Sequence, residues 1–181
     1  MTENLAQKVV EMLKRQKLTL SCAESCTGGM LSAVITSISG ASEVFPLGVV
    51  SYASEMKRDI LKVPEETLNT FGTIAPDTAY YMAKGVSDTS NTNVGVGITG
   101  VAGPTKSEGK PVGLVYIGVY SKNRATVFEL TESETKSRDE IRESAVKVAL
   151  KLILKHLETY DVTTPKKPYE LINDQRYTER G

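Results

Sequence analysis

The chain has 181 residues, 40% hydrophobic and 24% charged, which suits one domain with a core of its own. Lysine plus arginine equals aspartate plus glutamate at 22 each, so no global field recruits nucleic acid or an anionic membrane. No apolar run approaches the ~20 residues of a membrane span. The start, MTENLAQKVVEM, lacks the basic-then-apolar order of a secretory signal, and a cytoplasmic protein is expected.

Apolar positions Leu5, Val9, Met12 and Leu13 set a helical period over 3–16. Leu18 to Cys22 reads as a short strand, and Thr27 to Ile38 returns to helix with Leu31, Val34, Ile35 and Ile38 on one face. Val44 to Ala53 is the next strand, followed by a short helix over Glu55 to Leu61 and another from Pro64 to Phe71. Asp77 to Val86 is a helix opened by Pro76. Three strands follow at Asn93–Thr99, Val112–Tyr120 and Ala125–Leu130, the last two joined by the turn 121–124. Ser137 to Tyr160 is the longest helix, with a capping box from Ser137 and Glu140. Helices alternating with strands, plus a late hairpin, predict a three-layer α/β/α sandwich on a mixed, mostly parallel sheet. The domain is expected over 1–160, and 161–181, rich in Pro and charge, as an irregular tail.

The stretch SCAESCTGG (21–29) crowds small polar side chains at a strand-to-helix corner. Ser25 there is either an N-cap worth ~1 kcal/mol or a nucleophile whose oxyanion rests on free helix N–H groups, worth ~3–4 kcal/mol at the transition state. Gly28 and Gly29 weaken a first turn, which makes sense where a ligand approaches the backbone closely. The one histidine, His156, reads as a surface or helix-terminal residue. With only Cys22 and Cys26 beside it no zinc site can be completed, so no metal is expected.

Lacking a histidine base, a serine nucleophile turns to lysine, tyrosine or a carboxylate. The stretch VVSYASEMKRDIL supplies Tyr52 and Lys57, each of which has a bland reading as well: a core-edge tyrosine and a solvated helix lysine. Ser54 to Lys57 also matches the S-x-x-K of penicillin-recognising serine enzymes, without the K-T-G companion. A second glycine cluster, GVGITGVAGP, places Thr99, Gly100, Ala102 and Gly103 just past a strand's carboxyl end, where ligands gather in open α/β sheets. Arg138 and Arg142, one turn apart at the start of the last helix, suit a phosphate clamp or surface ion pairs.

Taken in order, AESCTGG, Tyr52 with Lys57, GTIAPDTAYYMAKG, GITGVAGP, GKPVG and SRDEIRESA resemble the CinA-type C-terminal domain, from about residue 4 to residue 157. That family includes stand-alone nicotinamide mononucleotide deamidases. The resemblance implies hydrolysis of the carboxamide of that nucleotide to nicotinate mononucleotide and ammonia, without cofactor or metal. It further implies Ser25 as nucleophile with Lys57 and Tyr52 as proton-transfer partners. The N–H groups around Cys26, Thr27 and Gly28 are then expected to hold the oxyanion. Thr99, Gly100, Ala102, Gly103 and Arg138 are expected to hold the nucleotide. A non-catalytic nucleotide-binding or regulatory module of the same fold is the alternative.

Three segments depart from the family's pattern: TKSEG (105–109) stands for a glycine-rich run, Lys136–Ser137–Arg138 for G-D-R, and GTIA for GAVS. The larger members carry an additional N-terminal domain, which is not expected within these 181 residues. The long last helix and the tail lead us to expect a homo-oligomer.

Overall fold

The computed structural model describes residues 2–160, 168–174 and 177–178. Among them, six strands form one mixed sheet in the order β2-β1-β3-β4-β5-β6: β1 Leu20–Glu24, β2 Leu47–Val50, β3 Val94–Gly100, β4 Leu114–Ser121, β5 Arg124–Thr131 and β6 Glu170–Ile172. β1 runs parallel to β2 and β3, and β5 parallel to β6, while β4 is antiparallel to both neighbours. The expected sandwich is therefore present.

Helices α1 (Thr2–Gln16), α2 (Met30–Thr36) and α6 (Arg138–Glu158) share a core with one sheet face, built on Leu13, Leu31, Ile98, Ile117 and Ile153. The opposite face carries α5 (Pro76–Ser90), with α3 (Ser54–Asp59) and α4 (Glu65–Phe71) leading into it. There Met82 and Val86 pack with Ala23, Leu61 and Val63. Strand glycines are destabilising unless a backbone passes close, and here the close neighbour is α5 itself. A Cβ at Gly97 would lie 2.4 Å from the Ala79 carbonyl oxygen, and one at Gly118 2.6 Å from the same atom.

No helix among the described residues is long and apolar enough to cross a membrane. The tail was expected to be irregular. Residues 161–167 lie outside the described ones, but Glu170–Ile172 add a strand to the β5 edge.

The second helix begins three residues later than its periodicity suggests, at Met30. Gly28 and Gly29 take φ of +60° and +92°, left-handed values that an α-helix does not contain. Ser25 to Gly29 therefore form a tight turn between β1 and α2, closed by Gly28 N–H donating to the Ser25 carbonyl at 3.0 Å. The chain passes from β1 through α2 to β2 on one side, then through α3–α5 to β3 on the other. The order thus reverses at β1, and a crevice opens beyond its carboxyl end.

Candidate active site

Three parallel strands end at that crevice, and each delivers part of the site. β1 ends in Glu24 and is followed by Ser25; β2 is followed by Ser51 and Tyr52; β3 ends in Gly100 and runs into the 101–113 loop. A cleft of about 280 Å³ lies between them, lined by Ser25, Tyr52, Thr73, Gly103, Lys106 and Arg138 among others.

Glu24 explains why Ser25 is not the helix cap. Its carboxylate is fully buried (0% exposed) and accepts from Gly29 N–H at 3.2 Å, Leu31 N–H at 3.1 Å, Ser32 N–H at 2.8 Å and the Ser32 hydroxyl at 2.7 Å. A carboxylate at a helix N-terminus satisfies otherwise unpartnered donors and complements the dipole. The Ser25 hydroxyl is left out of that arrangement and faces Lys57.

Lys57 sits in α3 and is only 1% exposed. Its ammonium nitrogen lies 2.7 Å from the Ser51 carbonyl oxygen, 3.2 Å from Ser25 Oγ and 3.3 Å from the Tyr52 carbonyl oxygen. Burial pulls its pKa below the usual lysine value, against smaller opposing pulls from Cys26 and Glu108. The Cys26 thiol, pushed up to about 12 chiefly by burial, is itself neutral at pH 7. Carbonyl oxygens only accept. When Lys57 is neutral, its two N–H bonds go to Ser51 and Tyr52, and its lone pair is left for the Ser25 hydroxyl. That direction of hydrogen bond is the one a general base requires.

Two sequence-predicted roles change. The Tyr52 side chain is 62% exposed, and its hydroxyl accepts from Arg138 Nη2 at 2.9 Å. Its backbone carbonyl, not its phenol, meets Lys57. Arg138 also donates to the Gly103 carbonyl, tying the α6 N-terminus to the glycine loop. Arg142 does not form a clamp with Arg138. It reaches under the 25–29 turn, donating to the Thr27 carbonyl at 3.1 Å and to Asp139 at 2.9 Å. The Ser137–Glu140 capping box is present.

Of the expected binding residues, Cys26, Thr99, Gly100, Ala102, Gly103 and Arg138 line the cleft, whereas Thr27 and Gly28 do not. Thr99 is buried, with its hydroxyl donating to the Thr73 carbonyl at 2.6 Å, so it holds the cleft wall rather than a ligand. Gly28 N–H is taken by Ser25 and Gly29 N–H by Glu24. Among the described residues, the N–H groups of Cys26 and Thr27 meet no oxygen acceptor; of the two, Cys26 lines the cleft and is the candidate oxyanion donor.

Sequence reasoning missed Glu24, whose partners depend on the left-handed glycine turn, and Ser51, which acts through a backbone carbonyl with no side-chain signature. The divergent segment 105–109 was also undervalued. The Glu108 carboxylate accepts from the Thr73 N–H and hydroxyl, and Lys110 donates to the Phe71 and Ile74 carbonyls. This stitches the loop across the cleft and brings Lys106 to its lining. His156, expected at the surface, is 3% exposed, because the face of α6 that carries it also carries Leu152, Ile153 and Leu157.

Known proteins give this geometry a context. A relative from Caldicellulosiruptor saccharolyticus, named for competence-damage induction, is 45% identical over 159 residues, covering 87% of this chain and 38% of the relative. A CinA-like protein of Kosmotoga olearia is 40% identical over 156 residues, 86% of this chain and 37% of that one. The chain thus spans under two-fifths of the length of these relatives. The crystal structure of the competence/damage inducible protein CihA from Agrobacterium tumefaciens superposes with a TM-score of 0.82 at 39% identity, covering 87% of this chain and 95% of the other. The competence damage-inducible protein A of Klebsiella pneumoniae gives 0.84 at 26%, covering 88% and 98%. The family model described as the CinA C-terminal domain matches residues 2–157, and the chain belongs to that family.

Proposed function

We propose that the protein is an amidohydrolase that cleaves the carboxamide of nicotinamide mononucleotide to nicotinate mononucleotide and ammonia. The observation that carries this reading is a buried amine 3.2 Å from a serine hydroxyl, with both of its other contacts on carbonyl oxygens. A lysine at its ordinary pKa is neutral at pH 7 only at a cost of about 4.6 kcal/mol, and burial lowers that cost.

Ser25 Oγ attacks the carboxamide carbon while its proton passes to Lys57 Nζ. The tetrahedral oxyanion is held by the Cys26 N–H group, which borders the cleft. Collapse breaks the C–N bond, and the proton on Lys57 leaves with ammonia. Water then attacks the acyl-serine, giving its proton to Lys57, and the acid is released as Ser25 recovers its hydrogen. The proton returns through Lys57 throughout, while Tyr52 and Arg138, joined at the mouth, position the substrate. Lys106 and Arg138 are the cationic side chains lining the cleft and are assigned to the nucleotide phosphate.

The test is ammonia release from nicotinamide mononucleotide by the pure protein and by its Ser25→Ala and Lys57→Met variants. Turnover by the parent and none by either variant supports the reading. Binding of the nucleotide without ammonia release would instead indicate a non-catalytic module.

A further inference from the structure

Ala102 and Val112 are buried at the two ends of the 101–113 loop, whereas residues 104–109 between them are all exposed. Ser107 and Lys110 bridge as in a hairpin, with Lys110 N–H donating to the Ser107 carbonyl at 2.8 Å. Glu108 and Gly109 at the tip take φ of +50° and +71°, the left-handed pair of a two-residue hairpin turn. Such a φ is uncommon for a glutamate. With no buried side chain from 104 to 109, the hairpin has no apolar anchor of its own, and segments of that kind open at low cost.

What holds it is polar and meets one target. The Glu108 carboxylate accepts from Thr73 N–H at 3.2 Å and 3.0 Å, one distance to each oxygen, and from the Thr73 hydroxyl. Lys110 donates to the Phe71 carbonyl at 2.9 Å, at the end of α4, and to the Ile74 carbonyl. Gly72 leaves room for the carboxylate, since a Cβ there would overlap Glu108 Oε2. Thr73 is itself fixed from the sheet, its carbonyl accepting from Thr99 Oγ1 of β3 at 2.6 Å. The seat therefore belongs to the body of the domain and does not travel with the hairpin. Thr105, Lys106 and Ser107, just before the tip, line the cleft.

We propose that residues 104–111 form a hinged flap over the candidate active site, and that Glu108 is the positioning residue that shuts it and so carries Lys106 to the phosphate end of the substrate. This role for Lys106 rests on the nucleotide reading of the cleft. The hinges are the buried ends of the loop, where Gly103 and Gly113 take φ of +82° and +90°. The Lys106 side chain is largely exposed and its ion pair with Glu134 is 3.9 Å long, so its place over the cleft depends on the backbone that carries it. Glu108 acts through Lys106 and not by contact with the nucleotide.

The test is a double-mutant cycle on binding, in the Ser25→Ala background so that no turnover intervenes. Affinities for nicotinamide mononucleotide and for its nucleoside are measured by calorimetry with Glu108→Ala, Lys106→Ala and the pair. Glu108→Ala is expected to lower the mononucleotide-to-nucleoside affinity ratio about fivefold, with no further loss once Lys106→Ala is present. Losses that multiply in the pair, or an equal loss for both ligands, overturn the proposal and make Glu108 a local brace. Exchange of the Thr73 amide, followed by NMR in the unliganded full chain, reads the flap without any ligand. It is expected to be slow in the parent and about tenfold faster in Glu108→Ala, with unchanged melting temperature. A Thr73 amide that exchanges freely in the parent overturns the flap. Failure of the folded Ser25→Ala protein to bind the mononucleotide overturns the nucleotide reading and the role given to Lys106, and the shut flap is then decided by the Thr73 exchange alone.

Discussion

Lys57 and His156 are both basic side chains shut away from water, one beyond the carboxyl end of β1 and the other under the last turns of α6 at the far end of the sheet. Burial lowers the pKa of each. Their partners differ. Lys57 is surrounded by three oxygens, one of which belongs to a hydroxyl that can give up a proton. His156 has one hydroxyl on Nε2 and nothing on Nδ1, and Arg124 nearby adds to the lowering, bringing its pKa to about 4. The first environment holds a buried amine against a serine hydroxyl. The second keeps an imidazole neutral across the physiological range. Burial alone therefore does not mark a reactive group; the chemistry follows from what the buried nitrogen faces.

The sharpest way to break this contrast is at Ser25 and Lys57. Each of Ser25→Ala and Lys57→Met is expected to lower ammonia release by about 10³-fold or more. The activity of the parent should rise with pH through the lowered Lys57 pKa, since the base must be deprotonated. Stability should move the same way with pH as activity. Between the folded and unfolded pKa values of Lys57 the unfolded chain binds more protons, so stability rises with pH through that window, and below it the buried charge is a burden. Lys57→Met is thus expected to hold or raise the melting temperature at pH 7, read by calorimetry beside the activity loss. A marked drop would mean that the three oxygens stabilise the ammonium more than burial penalises it.

Glu24→Gln comes next. Four donors converge on that carboxylate, and an amide at the same place turns one accepting oxygen into a donor. A loss of about 3 kcal/mol in urea unfolding is expected, with activity falling as the Ser25 turn loosens.

His156 supplies an acid-side effect. Its folded pKa of about 4 lies below its usual 6.5, so the unfolded chain takes up the proton first as pH falls. The stabilisation is whole above pH 6.5 and is lost on the way to pH 4. At pH 5 the loss is about 2 kcal/mol, and His156→Phe should flatten that part of the profile in urea titrations.

The smallest effect belongs to Lys106, which is exposed and lies 3.9 Å from Glu134. Lys106→Ala is expected to raise KM for the mononucleotide about fivefold. KM for the corresponding nucleoside should be unchanged. An equal change for both would detach Lys106 from the phosphate.

Much of the fold was legible because periodicity and breakers report directly on backbone structure: β3, β4, β5 and α6 lie within a residue or two of their sequence positions. The 27–38 helix was read three residues too long at its start, because Gly28 and Gly29 take left-handed φ values that the sequence pattern does not announce. The site was legible only in part. Ser25, Tyr52 and Lys57 carry side chains that can be named in advance. The contacts that orient Lys57 are main-chain carbonyls, which leave no mark in the sequence. The strand glycines show the same limit: a Cβ at Gly95 or Gly97 would meet the Ala83 or Ala79 carbonyl of α5, a neighbour decided by the packing of that helix.

That packing has a consequence for the cleft. α5 begins at Pro76, directly after Thr73 and Ile74 in the cleft wall, and it rests on β3 and β4 through glycine positions where backbone nearly touches backbone. A layer of leucines or valines can repack and so absorb small shifts; this junction has no such cushion. The width of the crevice is therefore inherited from the pleat of the sheet. A single methyl group at Gly97, far from any reacting atom, would act as a wedge that lifts the wall away from Ser25.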